Sequence, residues 1–155
     1  MNPAPTHDWL CRKIVDGSQV AIIFADREGV IRLWNGGAEM MFGFPAAEAV
    51  GRSLEIIVPE RHRARHNEGY SHVMSTGITK YGRDLLAVPA VRKDGTRISI
   101  QFSISIVRSP EGDILGAAAM VHDVTARWEK DKALRARLAV LERQAEPNTQ
   151  AAAKS

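Results

Sequence analysis

The sequence is short of most features that would assign it a chemistry. It has one cysteine in 155 residues, Cys11, so it can form no internal disulfide and no structural zinc site built on two or more thiolates. Its longest apolar run is VAIIFA, from Val20 to Ala25, far short of the roughly 20 residues a membrane-spanning helix needs. The opening MNPAPTHDW has no basic segment leading into an apolar stretch. No secretory signal is therefore expected, and the expected location is cytoplasmic. Lys and Arg exceed Asp and Glu by 21 to 18, a net charge of +3, which is too small an excess to imply nucleic acid. The nucleophile-elbow motif GxSxG, the phosphate-cradling GxxxxGK[ST] and the glycine-rich nucleotide fingerprint are all missing. No enzyme is expected. What remains is a composition 45% hydrophobic and 25% charged. That suits a soluble domain large enough to bury roughly two-thirds of its unfolded surface.

Periodicity divides the chain. Residues 7–16 place Trp9, Leu10, Ile14 and Val15 on one side of a short amphipathic helix that Gly17 ends. Segments 20–25 and 30–35 flank the turn DREG and read as a hairpin. Asn35-Gly36-Gly37 breaks the second strand, and two short helices follow, stopped at Gly43 and Gly51. A short apolar segment, 53–58, leads to Pro59 and to a helix over 60–75 closed by Gly77. Arg61, Arg63 and Arg65 sit at the start of that helix, where its dipole disfavours positive charge. Either their long stems carry the charges into water or they serve another anionic partner.

Three strands come next. Pro89 cannot donate to a ladder, so strand 84–92 belongs at a sheet edge or at a bulge. Strand 97–108 puts Ile98, Ile100, Phe102, Ile104 and Ile106 on one face. The turns KDGT and SPEGD bound it, and strand 114–124 follows. A last helix, 126–146, carries Leu134, Leu138, Leu141 and Ala145 at heptad-like spacing, and residues 147–155, after the break at Pro147, form a tail expected to be disordered. The layout is α+β, one sheet with helices on one face.

The segment GVIRLWNGGAEMMFGFPAAEAVGRSLEIIVP (29–59), the KDGT turn before a long alternating strand, and DVT (123–125) leading into a helix resemble a PAS domain. The resemblance covers residues 17–125. It implies a five-stranded antiparallel sheet with a helical insert on one face and flanking N- and C-terminal helices, a sensory or interaction role, and signal output through the C-terminal helix. The insert, 36–76, holds no cysteine, unlike the light-sensing flavin type.

Three of the five histidines, His62, His66 and His72, fall in the helix over 60–75. His66 shares a stripe with Tyr70 and Val73 that would point it toward the sheet. The stretch PERHRARHNEGYSHV resembles the proximal-histidine helix of haem-binding PAS domains of the FixL and DosP oxygen-sensor type, and the count from His66 to Asp94 matches without a gap. The resemblance implies haem b with His66 as the iron ligand. It sets Tyr70, His72 and Lys80 about the macrocycle, and Leu86, Phe102, Ile104 and Met120 on its walls. Leu86 stands where those sensors carry a distal arginine, with Asp84 and Arg83 near it. The His62–His66 pair as a zinc site and RHRARH as a nucleic-acid patch are the lesser readings.

The expected protein is a stand-alone PAS sensor. It senses a diatomic gas or redox state and relays the change to a histidine kinase or a response or transcription regulator. A homodimer through both terminal helices is expected, with neither nucleic acid nor membrane as partner. The rival reading is a cofactor-free dimerisation or docking module, and a third, lesser one is a pocket for a small organic ligand.

Overall fold

The computed structural model describes residues 3–79 and 87–152, with side chains through residue 145. Residues 1–123 form one compact unit and 124–155 another. In the first unit, helix α1 (His7–Gly17) precedes strands β1 (Ala21–Asp26) and β2 (Ile31–Trp34). Helices α2 (Gly36–Phe42) and α3 (Ala46–Ala49) follow, then 3-10 turns at Leu54–Ile57 and Glu60–His62, and helix α4 (Arg63–Thr76). Strands β3 (Val88–Val91), β4 (Arg97–Arg108) and β5 (Ile114–Asp123) complete it. The second unit carries helix α5 (Thr125–Ala152).

The five strands make one antiparallel sheet in the order β2-β1-β5-β4-β3. β3 lies at an edge, as Pro89 requires. In an antiparallel ladder directly opposed residues share a face. The pairs Ala21↔Val121, Ile23↔Ala119, Phe102↔Val121 and Ile104↔Ala119 therefore define the inner face. The larger core joins that face to the insert through Trp34, Phe42, Phe44 and Ile57. The smaller one joins it to α4 through Met74, Tyr70 and Val73 against Ile104, Ile106, Ile114 and Ala117.

Asn35 closes the structure where α1, β1 and α2 meet. It is 3% exposed. Its Oδ1 accepts from the Ile22 and Ala38 N–H groups at 2.8 and 3.0 Å, so it caps α2 and holds β1 at once. Its Nδ2 donates to the Val15 and Val20 carbonyls at 2.8 and 2.9 Å. Gly37 allows the close approach, since a Cβ there would strike the Val20 carbonyl.

Two expectations need correction. Met120 pairs with Ile22 and Ser103, which puts it on the outer face of the sheet, one residue out of step with Ala119 and Val121. The tail is helical as far as Ala152, through Pro147. Its Gln and Ala residues are among the better helix formers, a signal that the weight placed on Pro147 obscured. Among the described residues no helix is long and apolar enough to cross a membrane.

Candidate functional site

Two cavities open beside the 3-10 turn at Leu54–Ile57. One, about 440 Å³, lies between α4, that turn and the β1–β2 turn, and it contains His66 and Tyr70. The other, about 410 Å³, is bounded by Phe44, Ile56, Arg52, Arg63, Ser53 and Glu55.

The wall of the first cavity is fixed by Asp26. Its carboxylate accepts from the Glu28 and Val30 N–H groups at 3.1 and 3.0 Å and from Arg32 Nε at 2.7 Å. Burial alone would raise its pKa, but these bonds, led by Arg32, hold it below the ordinary carboxylate value. Gly29 completes the turn at φ +78°, a conformation that favours glycine. Tyr70 reaches across from α4 and donates its hydroxyl toward the Ala25 and Asp26 carbonyls at 3.0 and 2.6 Å. Burial, with the nearby charges of Asp26 and Glu28, pushes its phenol up to about 12.

His66 stacks on Tyr70, ring centroids 6.1 Å apart and planes 21° from parallel. Its Nδ1 lies 3.4 Å from Asn67 Oδ1, while Asn67 Nδ2 donates to Glu55 Oε1 at 2.7 Å. With the amide nitrogen spent on Glu55, the Asn67 oxygen is the end that meets the imidazole. Nδ1 is then the donor of that contact, and Nε2 meets no hydrogen-bond partner among the described residues.

Comparison with known proteins fits this architecture. Residues 15–129 match the model of a family described as PAS fold. The chain belongs to the PAS family. Sensor protein FixL of Bradyrhizobium diazoefficiens is 33% identical over 107 residues, 67% of this chain and 21% of that protein. Oxygen sensor protein DosP of Escherichia coli is 22% identical over 121 residues, 78% of this chain and 15% of that protein. Among solved structures, the PAS domain of a Colwellia psychrerythraea protein superimposes with a TM-score of 0.63 at 24% identity, over 76% of this chain and 96% of its own. This PAS domain thus spans about a fifth or less of these two curated relatives' length.

Of the residues expected to form a cofactor site, the structure brings together His66 and Tyr70. His72 is exposed on α4. Phe102 packs with the larger core and Ile104 with the smaller. Met120 is on the far face of the sheet. Lys80 and Leu86, with Arg83 and Asp84, lie outside the described residues. Tyr70, Val73 and Met74 make the contact of α4 with the smaller core, and His66, half-buried, stacks on Tyr70 at the groove.

The imidazole donor fits haem, with Nδ1 held by an amide and Nε2 open. The walls do not. The groove is lined by Arg27, Glu28, Ser53, Glu55, Asn67 and Ser71, with Leu54 and the Tyr70 ring as its main apolar surfaces. A macrocycle needs an apolar slot, and side chains of the smaller core fill the space between α4 and the strands. The sequence reading missed Glu55 and Asn67. The asparagine beside His66, and the Ser53 that caps the 3-10 turn bearing Glu55, were the available signals.

Proposed function

We propose that this PAS domain is the sensory module of a signal-transduction system and that it reads a small polar ligand in the groove at His66. The Glu55–Asn67–His66 chain supports this most directly. It orients the His66 imidazole, Nδ1 toward Asn67, among groups that both donate and accept. The module has no catalytic role. Its output passes along β5 to Asp123 and into α5, and its partner is a histidine kinase or a response or transcription regulator.

The test is thermal stability against a panel of small polar metabolites, with wild-type protein beside His66→Ala. At least one compound should raise the wild-type Tm and leave the variant unmoved. A panel that shifts neither, or both equally, refutes the reading.

Haem b is the second reading, favoured by the open Nε2 and by the likeness to an oxygen sensor. Addition of haem to the purified protein decides it. A Soret band lost in His66→Ala establishes haem ligation, whereas no band, or one indifferent to the change, excludes it.

The output form we propose is a homodimer. On α1, Trp9, Leu10 and Ile14 are exposed, and on α5 so are Trp128, Leu134, Leu138 and Leu141. Apolar seams of this kind need cover. A chain ending at Thr125 should sediment as a monomer; a surviving dimer would place the interface elsewhere.

A further inference from the structure

We infer that the second cavity, between Arg52 and Arg63, is a docking site for a carboxylate side chain presented by an acidic segment of a partner protein. Both guanidinium groups are positioned before any partner arrives. Arg52 lies over the Phe44 ring, 5.6 Å from its centroid. Arg63 is anchored by Nε donating to the Val58 carbonyl at 3.2 Å, and among the described residues its terminal amino groups have no hydrogen-bond partner. Among the described residues neither has a carboxylate within salt-bridge distance. Among the described lining residues the one carboxylate, Glu55, accepts through Oε1 from Asn67 and forms no salt bridge with either arginine. Two fixed, planar donors facing one space match the geometry in which arginine binds carboxylates.

The surroundings favour a polypeptide over a free small acid. The cavity is open and polar, and it does not enclose a ligand as small-molecule pockets do. Arg61 and Arg65 are exposed on the same stretch of chain, where Glu60 is the one carboxylate among residues 60–65. Positive charge outside the cavity favours an occupant that carries several carboxylates over a free acid with one or two.

The test is fluorescence anisotropy of a labelled decaglutamate peptide with the full chain. Wild-type protein should bind it, more weakly as salt rises from about 50 to about 300 mM. Arg52→Glu/Arg63→Glu should weaken binding roughly tenfold or more. Arg135→Glu/Arg137→Glu on α5 makes the same change in net charge and should leave binding within about twofold of wild type. Arg63→Gln, a milder change, covers the case in which the double reversal fails to fold, and should weaken binding severalfold. Equal losses in the two double variants would reduce the effect to net charge and overturn the site. Wild-type protein that ignores the peptide, or that binds succinate as tightly, would overturn it as well.

Discussion

Replacing Asn35 with alanine removes the side chain that ties three elements together, and the cost follows from the bonds lost. Four contacts are 3.0 Å or shorter: two accepted from the Ile22 and Ala38 N–H groups and two donated to the Val15 and Val20 carbonyls. At about 1 kcal/mol net for each hydrogen bond, the loss is about 4 kcal/mol, of which the helix cap on Ala38 accounts for about 1. Asn35 is 3% exposed, so water replaces the missing partners poorly and some relaxation is the main offset. A loss of about 3–5 kcal/mol is a large share of the roughly 5–15 kcal/mol that stabilises a domain. Asn35→Ser separates the two roles. Its hydroxyl reaches the cap but does not span to the α1 and β1 carbonyls, so it should recover about 1 kcal/mol of the loss. Asn35→Asp keeps the acceptors but turns a second oxygen on those carbonyls, and it should be no better than alanine. The assay is urea unfolding followed by the fluorescence of Trp34, which is buried, whereas Trp9 and Trp128 are exposed. With a slope of about 2 kcal/mol/M, the alanine midpoint should fall by about 2 M at unchanged slope. A loss below about 1 kcal/mol, or a serine variant equal to wild type, refutes the view that Asn35 bridges as well as caps.

Three further outcomes follow from the same contacts. Tyr70→Phe leaves the Ala25 and Asp26 carbonyls without their phenolic donor and should cost about 1–2 kcal/mol in urea unfolding. The Tyr70 pKa is raised from 10 to about 12 in the folded state. Its contribution is therefore fully present below pH 10 and is lost as pH climbs through about 12; the phenylalanine variant should lack that component of the alkaline transition, and identical pH profiles would refute the assignment. Gly37→Ala drives a Cβ into the Val20 carbonyl and should cost about 1–3 kcal/mol, whereas Gly17→Ala, with open space around it, should change stability by about 0.5 kcal/mol or less.

Much of the fold was legible because local chemistry and topology agree. Asn35 after a strand and before a helix reads as a cap, Pro89 reads as an edge, and the isoleucines of β4 alternate with polar residues. Met120 was misplaced because β1 and β5 are apolar on both faces: Ile22 and Phe24 face outward beside it. Where both sides of a strand are apolar, alternation gives the period but not which side is inside, and the inner residues Ala117, Ala119 and Val121 are smaller than the outer Met120. The stripe of Tyr70, Val73 and Met74 on α4 was legible and faces the smaller core, and His66, one turn earlier, stacks on Tyr70. The groove itself joins residues from three separate segments, the β1–β2 turn, the 3-10 turn and α4. No local pattern signals that convergence; it arises from the long-range placement of α4.

That placement also bears on how the proposed sensing would be transmitted. Coupling between sites needs a physical element with two arrangements, and the Tyr70 hydroxyl is suited to be one. It stacks under His66 and hooks the last two carbonyls of β1, where Ala25 pairs with Ala117 of β5. A ligand that displaces the stacked imidazole would act on the phenol and through it on the end of β1. β1 is paired on both sides, to β2 and to β5, so a shift there cannot be absorbed at a free edge. Under this proposal β5 would carry it toward Asp123, which Arg92 grips at 3.0 Å from the end of β3, and α5 begins at Thr125. The route uses hydrogen-bonded backbone from Ala25 onward, so its weakest link is the hydroxyl, and Tyr70→Phe should uncouple the groove from α5 while leaving the groove's own polar walls in place.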